Sequence, residues 1–136
     1  MDKGRYGIEL ILDMHGCDTS TFTRENLARY FVEVCELIEM KRHGEPMFWF
    51  DDSDKPHLRG ISAMQFVETS DIVVHALDLL ETVFVNIFSC KDFDTGEAEE
   101  FTKRFFRAKE VNARVLERKY LGNSSKNLNP SFPFCN

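Results

Sequence analysis

Gly60-Ile61-Ser62-Ala63-Met64-Gln65-Phe66-Val67-Glu68-Thr69-Ser70-Asp71-Ile72-Val73-Val74-His75-Ala76-Leu77 is the stretch that decides the fold. It reads as two strand-like runs, 61–68 and 71–77, and a third follows at 83–90, from Val83 to Cys90. A loop at about 78–82 makes the second and third runs an antiparallel hairpin. If its centre is near Leu79, Leu80 and Glu81, Asp71 falls opposite Cys90 and His75 opposite Asn86. Residues of one parity share a face, so His75 and Cys90 are expected to point the same way, with Cys90 near Ser70.

Outward from this block, Gly7 to Met14 alternates: Ile8, Leu10, Leu12 and Met14 on one face, Glu9 and Asp13 on the other. That is a half-buried strand, broken by His15-Gly16-Cys17-Asp18. Thr21 or Thr23 caps a helix in which Leu27, Tyr30, Phe31, Val34, Leu37 and Ile38 recur at helical spacing. Arg42-His43-Gly44, then Pro46, is its stop signal. Met47 to Phe50 suits a short strand, and the polar segment 51–59 with Pro56 suits a loop. Asp94 caps a second helix over 95–108, with Glu97 three residues on and Ala98, Phe101, Phe105 and Ala108 on one face. Val111 to Tyr120 closes as a strand. The order β-α-β-β-β-α-β predicts an α+β fold, an antiparallel sheet with helices packed on one face. One domain is expected over 1–121, with an irregular tail over 122–136. The other face of the sheet needs cover, which the many Phe and Val residues can supply by pairing two copies as a homodimer.

The composition suits one globular domain: 136 residues, 43% hydrophobic and 29% charged. A net charge of −6 argues against nucleic acid as partner. The basic cluster Lys103, Arg104, Arg107 and Lys109 lies among acids and reads as a solvated helix face. Cys17, Cys35, Cys90 and Cys135 are scattered, with no metal-binding spacing, so no metal is expected. No run is long or apolar enough for a signal peptide or membrane span. A cytoplasmic protein with reduced thiols is the expectation.

Within the decisive stretch, Ser62 stands eight residues before Ser70, His75 five after it, and Cys90 twenty after it. Hydroxyls, an imidazole and a thiol in this pattern suit acid–base or covalent chemistry. Singly, each has a structural explanation: a turn-forming Ser, a hydrogen-bonded His, a buried Cys. Together, Gly60-Ile61-Ser62-Ala63, Ser70, His75 and Phe88-Ser89-Cys90 resemble the self-processing region of the prokaryotic S-adenosylmethionine decarboxylases, without a gap between Ser62 and Cys90. Gly7, Asp13 and Gly16-Cys17-Asp18 resemble that family's first strand. The similarity spans roughly residues 7–110.

The resemblance implies a proenzyme that cuts itself between Thr69 and Ser70. Ser70 attacks the preceding carbonyl, the amide becomes an ester, and loss of the Ser70 α-proton, with His75 implicated and Ser62 supporting, expels the upstream chain. A pyruvoyl group derived from Ser70 is then the only cofactor. It forms a Schiff base with the substrate amine and draws off electrons while carbon dioxide leaves. Cys90 returns the proton as general acid. The reaction implied is decarboxylation of S-adenosylmethionine for spermidine synthesis.

The chain departs from the pattern in three places. Thr69 replaces the Glu before the cut bond, with Glu68 one position early. Asp71 replaces the His after the serine. The family's aromatic ring against adenosine falls at Asp54-Lys55-Pro56, with Phe48, Trp49 and Phe50 several residues away, and its carboxylate falls near Leu79, beside Asp78 and Glu81. Asp71, Glu68 and Asp78 are therefore candidate substrate contacts. Two alternatives stay open: a decarboxylase of arginine or ornithine, and an uncut, inactive relative that binds or regulates an active family member in a hetero-oligomer.

Overall fold

In a computed structural model, which describes residues 4–120, the sheet has six strands. These are β1 (Arg5–His15), β2 (Met47–Asp51), β3 (Gly60–Val67), β4 (Ser70–Leu77), β5 (Thr82–Ser89) and β6 (Glu110–Lys119). They lie in the order β2-β3-β4-β5-β1-β6, every neighbour antiparallel. Two helices, α1 (Arg24–Leu37) and α2 (Thr95–Phe106), connect them. The α+β architecture is the expected one, with four strands rather than three between the helices, because Met47–Asp51 pairs fully with β3. The expected tail over 122–136 lies outside the described residues.

Both helices start where the capping logic puts them. Thr23 accepts from the Asn26 N–H, and Asp94 from the Glu97 N–H. Helix α1 ends at Leu37, several residues before the glycine stop signal, because Glu39 turns left-handed at φ 58°. The Cys17 N–H then bonds to the Glu81 carbonyl, and Asp18 caps a short 3-10 turn and pairs with Arg107 at 2.8 Å. Arg107, Arg104 and Lys109 are exposed, as a solvated face requires.

The core lies between the helices and one face of the sheet. Leu10, Leu12, Met14, Ile72, Val74, Ala76, Val83, Val85 and Ile87 meet Leu27, Phe31, Val34, Ala98 and Phe106. At its centre Tyr30 is fully buried, ringed by Phe31, Phe101, Phe105 and Phe106 at 5.2–6.0 Å between centroids. Its hydroxyl meets the buried Thr102 hydroxyl at 2.8 Å. Tyr30→Phe leaves Thr102 without that partner and should cost about 1 kcal/mol. Tyr30→Ala should cost about 3–5 kcal/mol by opening a cavity. Urea unfolding of the two variants checks both values.

Candidate functional site

Among the described residues nothing covers the sheet face away from the helices, and its side chains fall in rows across the strands. One row runs Trp49, Ser62, His75, Phe84, Asp13 and Asn112; the next, Met47, Met64, Val73, Asn86, Ile11 and Arg114. A third, nearer the β3–β4 turn, holds Phe66, Asp71, Phe88, Glu9 and Leu116. Trp49 is 72% exposed, with Met47, Phe66 and Leu116 also open.

In the first row the Ser62 hydroxyl meets His75 Nδ1 at 2.8 Å. Gly60 sets the start of this strand at φ +149°, where a Cβ would collide with the Ala76 carbonyl. Beside the Ser62–His75 pair, Met47, Trp49, Met64 and Val73 line a cavity of about 310 Å³. Along the sequence Trp49 stands well apart from Ser62, and cross-strand pairing brings it to the site.

Ser70 lies elsewhere. It opens β4, directly after a two-residue turn of Glu68 and Thr69, and pairs with Val67 and Ser89. His75 is five residues further along the same strand, roughly 17 Å away and of opposite parity. One chain therefore joins Ser62 to His75, and Thr69–Ser70 to the end of β5, but not the two pairs to each other.

At the turn, the Thr69 carbonyl oxygen accepts the Cys90 N–H at 3.1 Å. The Thr69 hydroxyl accepts from the Ser89 hydroxyl at 2.8 Å. Ser89, given no role of its own within Phe88-Ser89-Cys90, is fully buried and also receives the Lys91 N–H. Its place between Phe88 and Cys90 in the quoted motif was the signal for it. The β4–β5 register differs from the expected one by two residues. Asp71 faces Phe88 and His75 faces Phe84, because the connection closes with Glu81 left-handed and Leu77 opposite Thr82. Cys90 falls just past the end of β5, outside this register. The expectation of reduced thiols needs correction at Cys90, which is disulfide-bonded. Cys17 and Cys35 are free and buried, their thiols pushed up to about 11 chiefly by burial.

The three candidate substrate carboxylates do not converge. Glu68 pairs with Lys41 at 3.4 Å beside the turn, while Asp78 pairs with Arg59 at 3.5 Å at the far end of the hairpin. Asp71 lies in the third row, where burial, then the charge of Glu9, raises its carboxyl above the ordinary 3.8. Glu9 itself is held by Arg118 and Asn86, each at 2.8 Å. Among the described residues no cluster suits a metal ion.

A raised folded-state value means that ionised Asp71 opposes folding at neutral pH, and that this opposition fades as pH falls through the carboxyl range. Asp71→Asn should therefore stabilise the protein at pH 7 and bring no gain below about pH 3.8. Melting temperatures of both proteins across pH 3–7 check the sign.

The sequence model of the S-adenosylmethionine decarboxylase family matches residues 8–119. The crystal structure of the adenosylmethionine decarboxylase from Aquifex aeolicus VF5 is similar in fold, with a TM-score of 0.72 at 14% identity, covering 89% of this chain and 97% of that one. No curated protein matches the sequence. With the match extending from the first strand to the last, the chain belongs to the S-adenosylmethionine decarboxylase family.

Proposed function

We propose that the chain is a self-processing, pyruvoyl-dependent decarboxylase acting on S-adenosylmethionine. The observation that carries this reading is the hydrogen bond from the Cys90 N–H to the Thr69 carbonyl. It polarises the one carbonyl that Ser70 must attack and is ready to hold the oxyanion that forms there. No such donor meets the Glu68 carbonyl among the bonds of this turn.

The chemistry follows from the chain's own groups. Ser70 Oγ bonds to the Thr69 carbonyl carbon, the Thr69–Ser70 C–N bond breaks, and the hydroxyl proton passes to the Ser70 nitrogen. Removal of the Ser70 α-proton then breaks the Cβ–O bond and releases Thr69 as a carboxylate. Water replaces the resulting enamine nitrogen, which leaves as ammonia. The pyruvoyl group so made supplies an electron-withdrawing carbonyl to an amine substrate. Ser62, bonded at Nδ1, orients His75 so that Nε2 is presented to the reacting atoms. Since His75 is too distant from Ser70 within one chain, we infer that a second copy supplies the Ser62–His75 pair. Thr69 and Ser70 are part-exposed at the rim of the sheet, where a second copy has access. Cys90 serves as proton donor only as a reduced thiol.

The cavity beside Ser62 favours S-adenosylmethionine over arginine or ornithine. Its Met47, Trp49, Met64 and Val73 walls suit a flat, weakly polar ring such as adenine, and no carboxylate lines it for a guanidinium or ammonium end. A second reading, an uncut regulatory relative, is favoured by Thr69 in place of Glu and by the bonded state of Cys90.

Intact mass under denaturing, reducing conditions separates the two. The decarboxylase reading expects fragments 1–69 and 70–136, absent in Ser70→Ala, and carbon dioxide release from S-adenosylmethionine but not arginine. A single uncut chain after long incubation supports the regulatory relative. Co-expression of Ser70→Ala with His75→Ala tests the second copy. Neither chain alone should process, whereas the mixture should cut the His75→Ala chain, and no cutting there removes the shared site.

A further inference from the structure

We propose that Ser89 is a positioning residue for self-processing, standing in for the charged group that this chain lacks before the cut bond. The inference rests on the self-processing reading above. Two residues, Glu68 and Thr69, make the β3–β4 turn, and neither has a positive φ. The turn is thus not one of the types whose own twist matches the flanking strands. Its shape depends on outside contacts: the Glu68 N–H on the Lys41 carbonyl at 2.9 Å, the Thr69 carbonyl on the Cys90 N–H, and the Thr69 hydroxyl on Ser89.

Ser89 is engaged from both sides: its oxygen receives the Lys91 N–H at 2.9 Å, and its proton goes to Thr69 Oγ1 at 2.8 Å. Being fully buried, it has no water to turn to. Thr69 is β-branched and stiff at χ1, so fixing its hydroxyl fixes the direction of its backbone. Two adjacent residues of β5 and its end, Ser89 and Cys90, then grip Thr69 by hydroxyl and carbonyl, and the carbonyl carbon is held still for Ser70. An uncharged hydroxyl pair does the work of orientation where a carboxylate is missing.

The test has two arms. In the full-length chain, Ser89→Ala should slow cleavage, followed by intact mass, by about fivefold to tenfold, the effect of losing one neutral hydrogen bond. Ser89→Thr, which keeps the hydroxyl, should restore it. In the Ser70→Ala chain, which stays whole, amide exchange at Cys90 should quicken by a similar factor on adding Ser89→Ala. It should stay slow with Ser89→Thr, while exchange at Val85 in the same strand is unchanged. Unchanged protection of Cys90, a Ser89→Thr chain that behaves like Ser89→Ala, or undiminished cleavage in Ser89→Ala overturns the proposal. If the native chain never cuts, self-processing fails, and the exchange arm still decides whether Ser89 holds the turn.

Discussion

Gly7 passes so close to the end of β5 that a Cβ there would lie 2.7 Å from Cys90 Cα and would overlap the Ser89 carbonyl. Only glycine permits β1 to lie flat against this segment, where Ile8 pairs with Ser89, and on its other side β1 shifts register against β6 between Arg5 and Gly7. Cys90 then sits at the height of the β3–β4 turn, with its N–H directed at Thr69. The glycine that marks the first strand in the sequence is therefore part of the geometry of the candidate cleavage bond, sixty residues away. A methyl group at that point would move the donor before it affected the core.

The one-sided sheet sets the remaining constraints. Helices cover the pleat of Leu10, Ile72 and Val85 and build the core there. Polar and aromatic residues occupy the other pleat in rows, pairing Glu9 with Arg118 and Asp13 with Arg114 at 2.8 and 3.2 Å. These ion pairs contribute little to stability, and on the β2 side of the same face Met47, Trp49 and Phe66 form open apolar ground. An apolar region of this kind beside a hydroxyl–imidazole pair is a surface prepared for a partner or a ligand.

Much of this was legible in the sequence. Alternation located β1, β3, β4 and β5, and Thr23 and Asp94 located the helix starts. What escaped was geometry set by single left-handed residues. Glu39 ends α1 early, and Glu81 moves the β4–β5 register by two; neither is a glycine, so neither announces itself. Trp49 escaped because distance along the chain conceals a cross-strand neighbour, thirteen residues from Ser62 yet directly opposite it. The separation of Ser70 from His75 was implicit in their odd spacing on one strand. Spacing motifs, however, record which residues occur together and not how far apart a strand holds them.

The strand order has a consequence for the chain once divided at Thr69. The first piece would own β1, α1, β2 and β3, the second β4, β5, α2 and β6. In the sheet these alternate: β3 lies against β4, and β1 is threaded between β5 and β6. Three seams of backbone hydrogen bonds, with a shared core beneath them, would join the pieces. The halves are thus interlaced rather than abutted, and neither can leave without taking the sheet apart. A cut in the peptide bond at this turn would therefore leave the two pieces held together by the sheet itself.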